Sequence, residues 1–471
     1  MIARLGLFLS RVFRATAPDP FVIAIVLLAL TVALGVLAGG AEGAGGRAVG
    51  AIDAFREQPG RPHMWSLLAF GMQMCVVLVS GHALASSGPV RRAIEWGAGL
   101  PRSGATAAAM VAFVACAAAV VNWGLGLIVG ALLAREVGRS LSRRDIPHHY
   151  PLLAAAGYLG LMVWHGGLSG SAPLTMTTAA GAARTLGPDS LEQLADAGFG
   201  DGVPLSHTLG TTLNLVVTGG LVLIGPLVVL LLAPRRPEDQ RGMDGWAPAP
   251  GPDRSQAHEG DEDAGPLPRW LETSPTVSIA LAAALAAGLY RFVDRDSLWR
   301  LGLNEVNTGM IALGLVLHRS PRRYVAAVDV AVKGCGGIIV QFPIYAAIMA
   351  VMGNTGLVAV LADVARGASP EMLPVATFGS AAVINLFVPS GGGQWAVQGP
   401  IALSAGLSAG VDPGRMILAV SYGDQLTNML QPFWALPLLA ITGLKARDIV
   451  GYSSLVMVAG GAWIVGALVL F

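Results

Sequence analysis

The sequence predicts an all-α polytopic membrane protein whose two halves form an inverted repeat, with two re-entrant hairpins and two discontinuous helices. Three observations lead there. First, the 471 residues are 54% hydrophobic and 13% charged, mean hydropathy is +0.62, and apolar runs recur at the roughly 20 residues a helix needs to cross a membrane. Second, the stretches 103–134 and 372–411 contain no Asp, Glu, Lys or Arg, exceed one crossing, and are each interrupted by a polar or glycine-rich centre. Third, several sequence anchors recur in one order at a nearly constant offset.

Residues 1–19 place Arg4, Arg11 and Arg14 among Leu, Phe and Val at helical spacing, which predicts an interfacial N-terminal helix. The apolar run that follows is longer than a signal-peptide core and reads as an uncleaved first crossing. The first transmembrane half, 20–233, has spans near 20–39, 64–86, 150–178 and 210–233, with the stretch 103–134 read as a re-entrant hairpin. Residues 234–269 are rich in Pro, Gly and charge without periodicity, and read as a disordered cytoplasmic linker. The second half, 270–471, has spans near 274–291, 301–317, 334–353, 415–441 and 449–471, with the hairpin 372–411 between the third and fourth.

Charge supports that count. With the N-terminus cytoplasmic, one face receives Arg91, Arg92, Arg102, Arg135, Arg139, Arg143, Arg144, Arg235, Arg236, Arg319, Arg322 and Arg323, and the other face acidic loops such as Asp189, Glu192, Asp196 and Asp201. Reading 103–134 as a single crossing would invert every later loop. A net charge of +1 offers no footprint for nucleic acid. Cys75, Cys116 and Cys335 lie in apolar runs without metal-ligand spacing and read as reduced packing residues. No metal site and no cofactor is expected.

The halves align through Gln73 with Gln341 and Gly88 with Gly356 at an offset of 268, Asn122 with Asn385 at 263, and Tyr158 with Tyr422 and Pro173 with Pro437 at 264. In the topology above the paired helices run in opposite directions, an arrangement common among secondary transporters. "VPSGGGQW", residues 388–395, would leave backbone groups unpaired in lipid unless it faced protein or a wet cavity. "NWGLGL", residues 122–127, has the same character. Helices restarting at these tips would present N–H groups and a positive dipole end to an anion.

The expected substrate-binding set is Asn122, Trp123, Gly124, Ser169, Ser171, Asn385, Ser390, Gly391, Gly392, Gly393, Gln394, Thr427 and Asn428. "WHGGLSGSAP" (164–173) and "GDQLTNMLQP" (423–432) place polar and small residues mid-span and end in proline, as discontinuous helices do. Asp424, the one carboxylate read as lying well inside a span, is the candidate for a coupling ion or proton, with His165 beside two glycines as a titratable companion. Glycines at such tips also serve close packing, and buried hydroxyls and amides also tie helices together.

The segments "LLAFGMQMCVVLVSGHALASSGPV", "VVNWGLGLIVGALLAREV", "VQFPIYAAIM", "INLFVPSGGGQWAVQGP" and "QPFWALPLLAITGLKARDIVGY" resemble the short-chain fatty acid transporter family over nearly the whole chain. That resemblance implies import of small monocarboxylates such as acetoacetate or butyrate across a bacterial inner membrane. It also implies alternating access with a moving domain that bears the hairpins, and coupling to a cation gradient in which Na+ and H+ remain open. His165 stands where the resemblance leads one to expect a glycine run, and Asp424 where it leads one to expect Glu. Neither hairpin contains Lys or Arg, which suits a weakly held monocarboxylate.

A carrier for dicarboxylates or another small anion is the alternative, and would call for a basic residue in the site. "GLSG" (167–170) also matches a rhomboid-like intramembrane serine protease, with Ser169 as nucleophile and His82 or His207 as base, provided a histidine reaches the hydroxyl. The expected partners are the small carboxylate and the bilayer. A homodimer is left open by the sequence.

Overall fold

The computed structural model describes residues 2–16, 18–41, 43–57, 61–186, 188–244, 265–296 and 303–471. Among these the regular structure is entirely helical. The helices used below are α1 (Ile2–Thr16), α2 (Pro20–Ala38), α3 (Leu68–Ser86), α4 (Gly104–Val121), α5 (Trp123–Arg143), α6 (Tyr150–Tyr158), α7 (Ser171–Met176) and α8 (Thr212–Leu232) in the first part of the chain. In the second they are α9 (Pro275–Asp296), α10 (Leu303–His318), α11 (Gly336–Asn354), α12 (Leu373–Phe387), α13 (Gly391–Ser408), α14 (Pro413–Thr427), α15 (Pro432–Thr442) and α16 (Ala446–Leu470).

Eight helical stretches among the described residues are long and apolar enough to cross a membrane. Their burial sorts them. In Pro20–Ala38 and Pro275–Asp294 only 17% and 11% of the most apolar window is buried, whereas in Tyr150–Met176 the share is 89%. An apolar helix left uncovered by protein is stable only against lipid, so α2 and α9 are peripheral and the segment from α6 to α7 is central. The protein is an all-α integral membrane protein. The predicted crossing 301–317 falls on the 16-residue α10, and residues 301–302 lie outside the described residues.

α3 and α11 are both 19 residues long and begin at Leu68 and Gly336, the same 268-residue spacing found between Gln73 and Gln341. Each is followed by two helices that pack side by side, α4 with α5 and α12 with α13. α4 begins at Ser103, whose Oγ accepts the Thr106 N–H, and stops at Asn122, where the backbone becomes extended (φ −154°, ψ 128°). α5 does not end where the apolar run ends, at Ala134, but continues to Arg143. Arg135 and Glu136 are buried there at 8% exposure each, because Glu136 Oε1 accepts from Arg135 Nε at 3.0 Å and Arg139 Nη1 at 2.9 Å. Glu136 and Asp448 are thus buried carboxylates in addition to Asp424. α5 and α6 approach so closely that a Cβ on Gly130 would lie 2.1 Å from the Gly157 carbonyl oxygen. Only glycine fits.

α12 ends at Phe387, and Val388, Pro389 and Ser390 lead into α13. Two segments are broken mid-course. α6 gives way to 3-10 turns over Leu159–Met162 and Trp164–Gly166 before α7 starts at Ser171. α14 passes through a turn at Asn428–Leu430 before α15, which splits the predicted crossing 415–441.

α1 lies on α8 and α16, held by Arg14 Nε to Asp448 Oδ1 at 3.0 Å, and exposes Leu5, Phe8 and Val12 on its outer face. Most of the predicted linker 234–269 falls on residues 245–264, outside the described residues. Its flanks hold a 3-10 turn at Pro237–Asp239 and a helix at Pro266–Thr273.

Candidate functional site

The two tips meet on either side of Trp164. Trp123, the first residue of α5, packs edge-on against Trp164 at 6.2 Å between ring centroids. On the other side, a Cβ on Gly391 would lie 2.6 Å from Trp164 Cη2 and 3.0 Å from His165 Cε1. Trp164 and His165 themselves stack at 4.3 Å and 20°. Glycine at 391 therefore lets the α13 backbone touch this aromatic pair, which any side chain would push away.

The two tips differ in chemistry. At the first, Asn122 caps α5: its Oδ1 accepts the Gly124 and Leu125 N–H groups at 3.0 and 3.1 Å. The Trp123 N–H donates to Ser169 Oγ at 3.0 Å. Every donor that an anion would use at the start of α5 already has an acceptor. At the second tip Ser390 Oγ accepts only the Gly393 N–H, at 3.2 Å. The Gly391 and Gly392 N–H groups have no acceptor among the described residues. They head an 18-residue helix, so its dipole points its positive end at whatever sits there. Gly392 is exposed, and Ser171 is the side chain nearest it.

Beneath this tip lies a buried polar layer. His165 Nε2 accepts the Ala172 N–H at 3.0 Å, so in the neutral ring the proton sits on Nδ1. That Nδ1 is 3.5 Å from Asp424 Oδ1, and both side chains are almost wholly buried. Asp424 Oδ2 has no hydrogen-bond partner. Gln425 Oε1 accepts the His165 and Gly166 N–H groups at 3.0 and 3.1 Å, joining α14 to the break between α6 and α7.

Asn385, Thr427 and Asn428 sit together one turn further along α14. Asn385 Nδ2 lies 2.7 Å from the Asp424 carbonyl oxygen, 3.0 Å from Thr427 Oγ1 and 3.0 Å from Asn428 Oδ1. Thr427 Oγ1 also donates to the Ala382 carbonyl at 3.0 Å, and Gln431 donates to the Asn385 carbonyl. Gln394 Nε2 bridges the two helices of the hairpin, reaching the Ala381 carbonyl at 2.9 Å and Gln398 Oε1 at 2.8 Å. In this arrangement the amides of Asn385 and Gln394 brace helices.

Sequence reasoning missed the residues that close the breaks. Tyr158 OH reaches the Asn428 and Gln431 carbonyls at 2.7 and 2.8 Å. Tyr422 OH reaches Asn214 Oδ1 at 3.1 Å, and Asn214 Nδ2 donates to the Gly166 carbonyl at 2.9 Å. The two tyrosines that align between the halves thus each serve the break in the other half. Tyr158 and Tyr422 were legible as anchors, and Gln425 stood next to Asp424, but their targets lie between 208 and 273 residues away.

Ser169 accepts from a backbone amide, and no histidine is hydrogen-bonded to it among the described residues. His82 has Arg135 and Arg139 as its charged neighbours, and the His207 ring packs on Phe199 at 5.0 Å. The constellation of a serine protease is not assembled here.

Comparison with known proteins agrees with the transporter reading. A family model described as short chain fatty acid transporter matches residues 1–471. Two relatives carry that name provisionally. The one from Escherichia coli (strain K12) is 36% identical over 487 residues, covering all of both chains. The one from Haemophilus influenzae is 33% identical over 453 residues, covering 96% of each. Among solved structures, the Alcanivorax borkumensis YdaH transporter superposes with a TM-score of 0.44 at 17% identity, over 96% of this chain and 97% of that one. Neisseria gonorrhoeae MtrF superposes at 0.40 and 18%, over 97% of each. Both superpositions are too loose to bear on the assignment. Full-length coverage by the family model and by relatives above 30% identity establishes that this chain is a transporter and not an enzyme, and that it belongs to the short-chain fatty acid transporter family.

Proposed function

We propose that this protein carries a small monocarboxylate, of the size of acetoacetate or butyrate, across a bacterial inner membrane by alternating access, driven by a cation gradient. The observation that carries the proposal is the pair of open N–H groups at Gly391 and Gly392, at the positive end of α13 and beside Ser171. Two backbone donors and a hydroxyl suit one carboxylate group. A dicarboxylate would need a second donor set, and among the described residues no Lys or Arg makes a hydrogen bond or ion pair with Gly391, Gly392, Ser171, His165 or Asp424.

The cation acts at Asp424, whose buried carboxylate has one oxygen facing His165 Nδ1–H and the other open. H+ would bind the open oxygen directly. Na+ would draw on the same oxygen and nearby carbonyls. The elevator form of the mechanism is supported by the paired helices, the two hairpins and the exchange of tyrosine contacts between halves. The cytoplasmic N-terminus is supported by the arginine distribution.

The test is uptake of labelled acetoacetate and butyrate into proteoliposomes, with sodium and pH gradients imposed separately. Saturable uptake driven by one gradient is expected. Flux that neither saturates nor responds to either gradient would replace this mechanism with a passive pore.

A further inference from the structure

A cavity lies where α1 rests on the end of α8. Its volume is about 410 Å³, and Arg4, Leu7, Leu231, Arg235, Arg236 and Asp239 shape it. Leu231 ends the lipid-facing row Leu223, Leu227, Leu230 of α8, and Arg235 follows four residues later, after the helix has stopped. Moving outward from the hydrocarbon, the wall therefore changes from leucine to guanidinium.

Charge in the cavity is unbalanced. Arg236 Nη1 leans on Glu238 at 3.4 Å, and both side chains are exposed. Arg4 and Arg235 form no ion pair with any described residue. Asp239 is the one carboxylate against three guanidiniums. α1 cannot swing away to disperse them, because Arg14 is paired to Asp448, and a Cβ on Gly6 would sit 3.0 Å from Leu232 and 3.1 Å from Tyr452. Two unpaired cations above an apolar wall form the complement of an acidic phospholipid, whose phosphodiester sits directly above its acyl chains.

We propose that this cavity binds the headgroup of an acidic phospholipid, with Arg4 and Arg235 on the phosphodiester, Leu231 and Leu7 against the acyl chains, and Asp239 accepting from a headgroup hydroxyl. The site is independent of the substrate reading, since it requires only that the chain be embedded in a bilayer. The occupant is a lipid rather than a soluble phosphate ester, because the leucine wall is continuous with the exposed leucine row of α8, which a membrane-crossing helix turns to the hydrocarbon.

The test uses the full chain in detergent micelles, titrated with phosphatidylglycerol, phosphatidylcholine or water-soluble glycerol phosphate, with bound adducts counted by native mass spectrometry. Wild type should prefer phosphatidylglycerol over phosphatidylcholine at least tenfold. In the double variant Arg4→Gln/Arg235→Gln the phosphatidylglycerol affinity should fall about thirtyfold, at roughly 1 kcal/mol for each arginine near an anionic surface. Arg91→Gln/Arg92→Gln removes the same charge from exposed positions elsewhere and should change it less than twofold. The proposal is overturned by equal binding of the two lipids, by an unaffected Arg4/Arg235 variant, or by an equal loss in the Arg91/Arg92 control. Glycerol phosphate binding as tightly as the lipid would also overturn it, in favour of a soluble ester.

Discussion

Replacing Asp424 by Asn should uncouple uptake from its driving gradient while leaving the fold intact. Asp424 is 1% exposed, its Oδ1 faces His165 Nδ1 at 3.5 Å, and its Oδ2 faces no donor. A carboxylate held charged at the centre of a membrane helix costs about 2.5 to 3.5 kcal/mol. At about 1.4 kcal/mol per tenfold, that disfavours the ion-free closed form by roughly 60- to 300-fold relative to one neutralised by H+ or Na+. On the proposed mechanism, closure with an empty cation site is then rare, which would couple uptake to the gradient. Asparagine has the same shape and keeps an oxygen facing His165 Nδ1, yet it needs no counter-charge. The variant should therefore close with or without the cation. In proteoliposomes its ratio of uptake with gradient to uptake without should drop toward one, with thermal stability in detergent equal to or above wild type. A ratio unchanged from wild type in a well-folded Asp424→Asn protein would remove Asp424 from the coupling step.

Three further outcomes are expected. Gly391→Ala brings a methyl group to 2.6 Å from Trp164 Cη2; the shift needed to relieve it should cost about 1–3 kcal/mol and raise the uptake KM, since the Gly391 and Gly392 N–H groups move with the tip. Gly130→Ala places a methyl 2.1 Å from the Gly157 carbonyl oxygen, a backbone atom that cannot yield, and should cost more than that or prevent accumulation, whereas Gly219→Ala, with no heavy atom within 4 Å, should be neutral by thermal melting. His149, just outside the span, is held down to about 3 by burial and then by Arg14, Arg241 and His148, with Nδ1 accepting from the Arg241 N–H and Nε2 beside Tyr452 OH. Its folded value lies below the unfolded value near 6.5, so its contribution is complete above pH 6.5 and declines by up to about 1.4 kcal/mol per unit as pH falls toward 3; melting temperatures of His149→Gln should fall less steeply over that window.

The interruptions were legible because glycine, proline, asparagine and serine at membrane depth violate a rule that lipid enforces on every backbone. What satisfied those interruptions was not legible. Tyr158, Gln425 and Asn214 act on carbonyls and amides that only folding brings near, so Asn385, Thr427 and Asn428 looked like open donors when their bonds are already made. The end of α5 was hidden for a different reason. Charge marks the edge of an apolar stretch, yet Glu136 pairs with both Arg135 and Arg139 within the helix, which continues beyond that edge.

The matched asparagines make the same point inside the site. Asn122 and Asn385 sit in similar pentapeptides, "AVVNW" and "AVINL", but Asn122 caps α5 whereas Asn385 lies three residues before a tip whose cap is Ser390. Both caps are ordinary ones, and either helix start would serve an anion equally well from sequence alone. Ser169 breaks the tie. By taking the Trp123 N–H it completes the first tip, while nothing performs that service for Gly391 and Gly392. A transporter with two similar tips can therefore use one as a fixed support and the other as the contact with its cargo, and the difference between them is set by the Asn122 side chain, which takes two N–H groups where Ser390 takes one, together with the Ser169 hydroxyl contributed from a neighbouring broken helix.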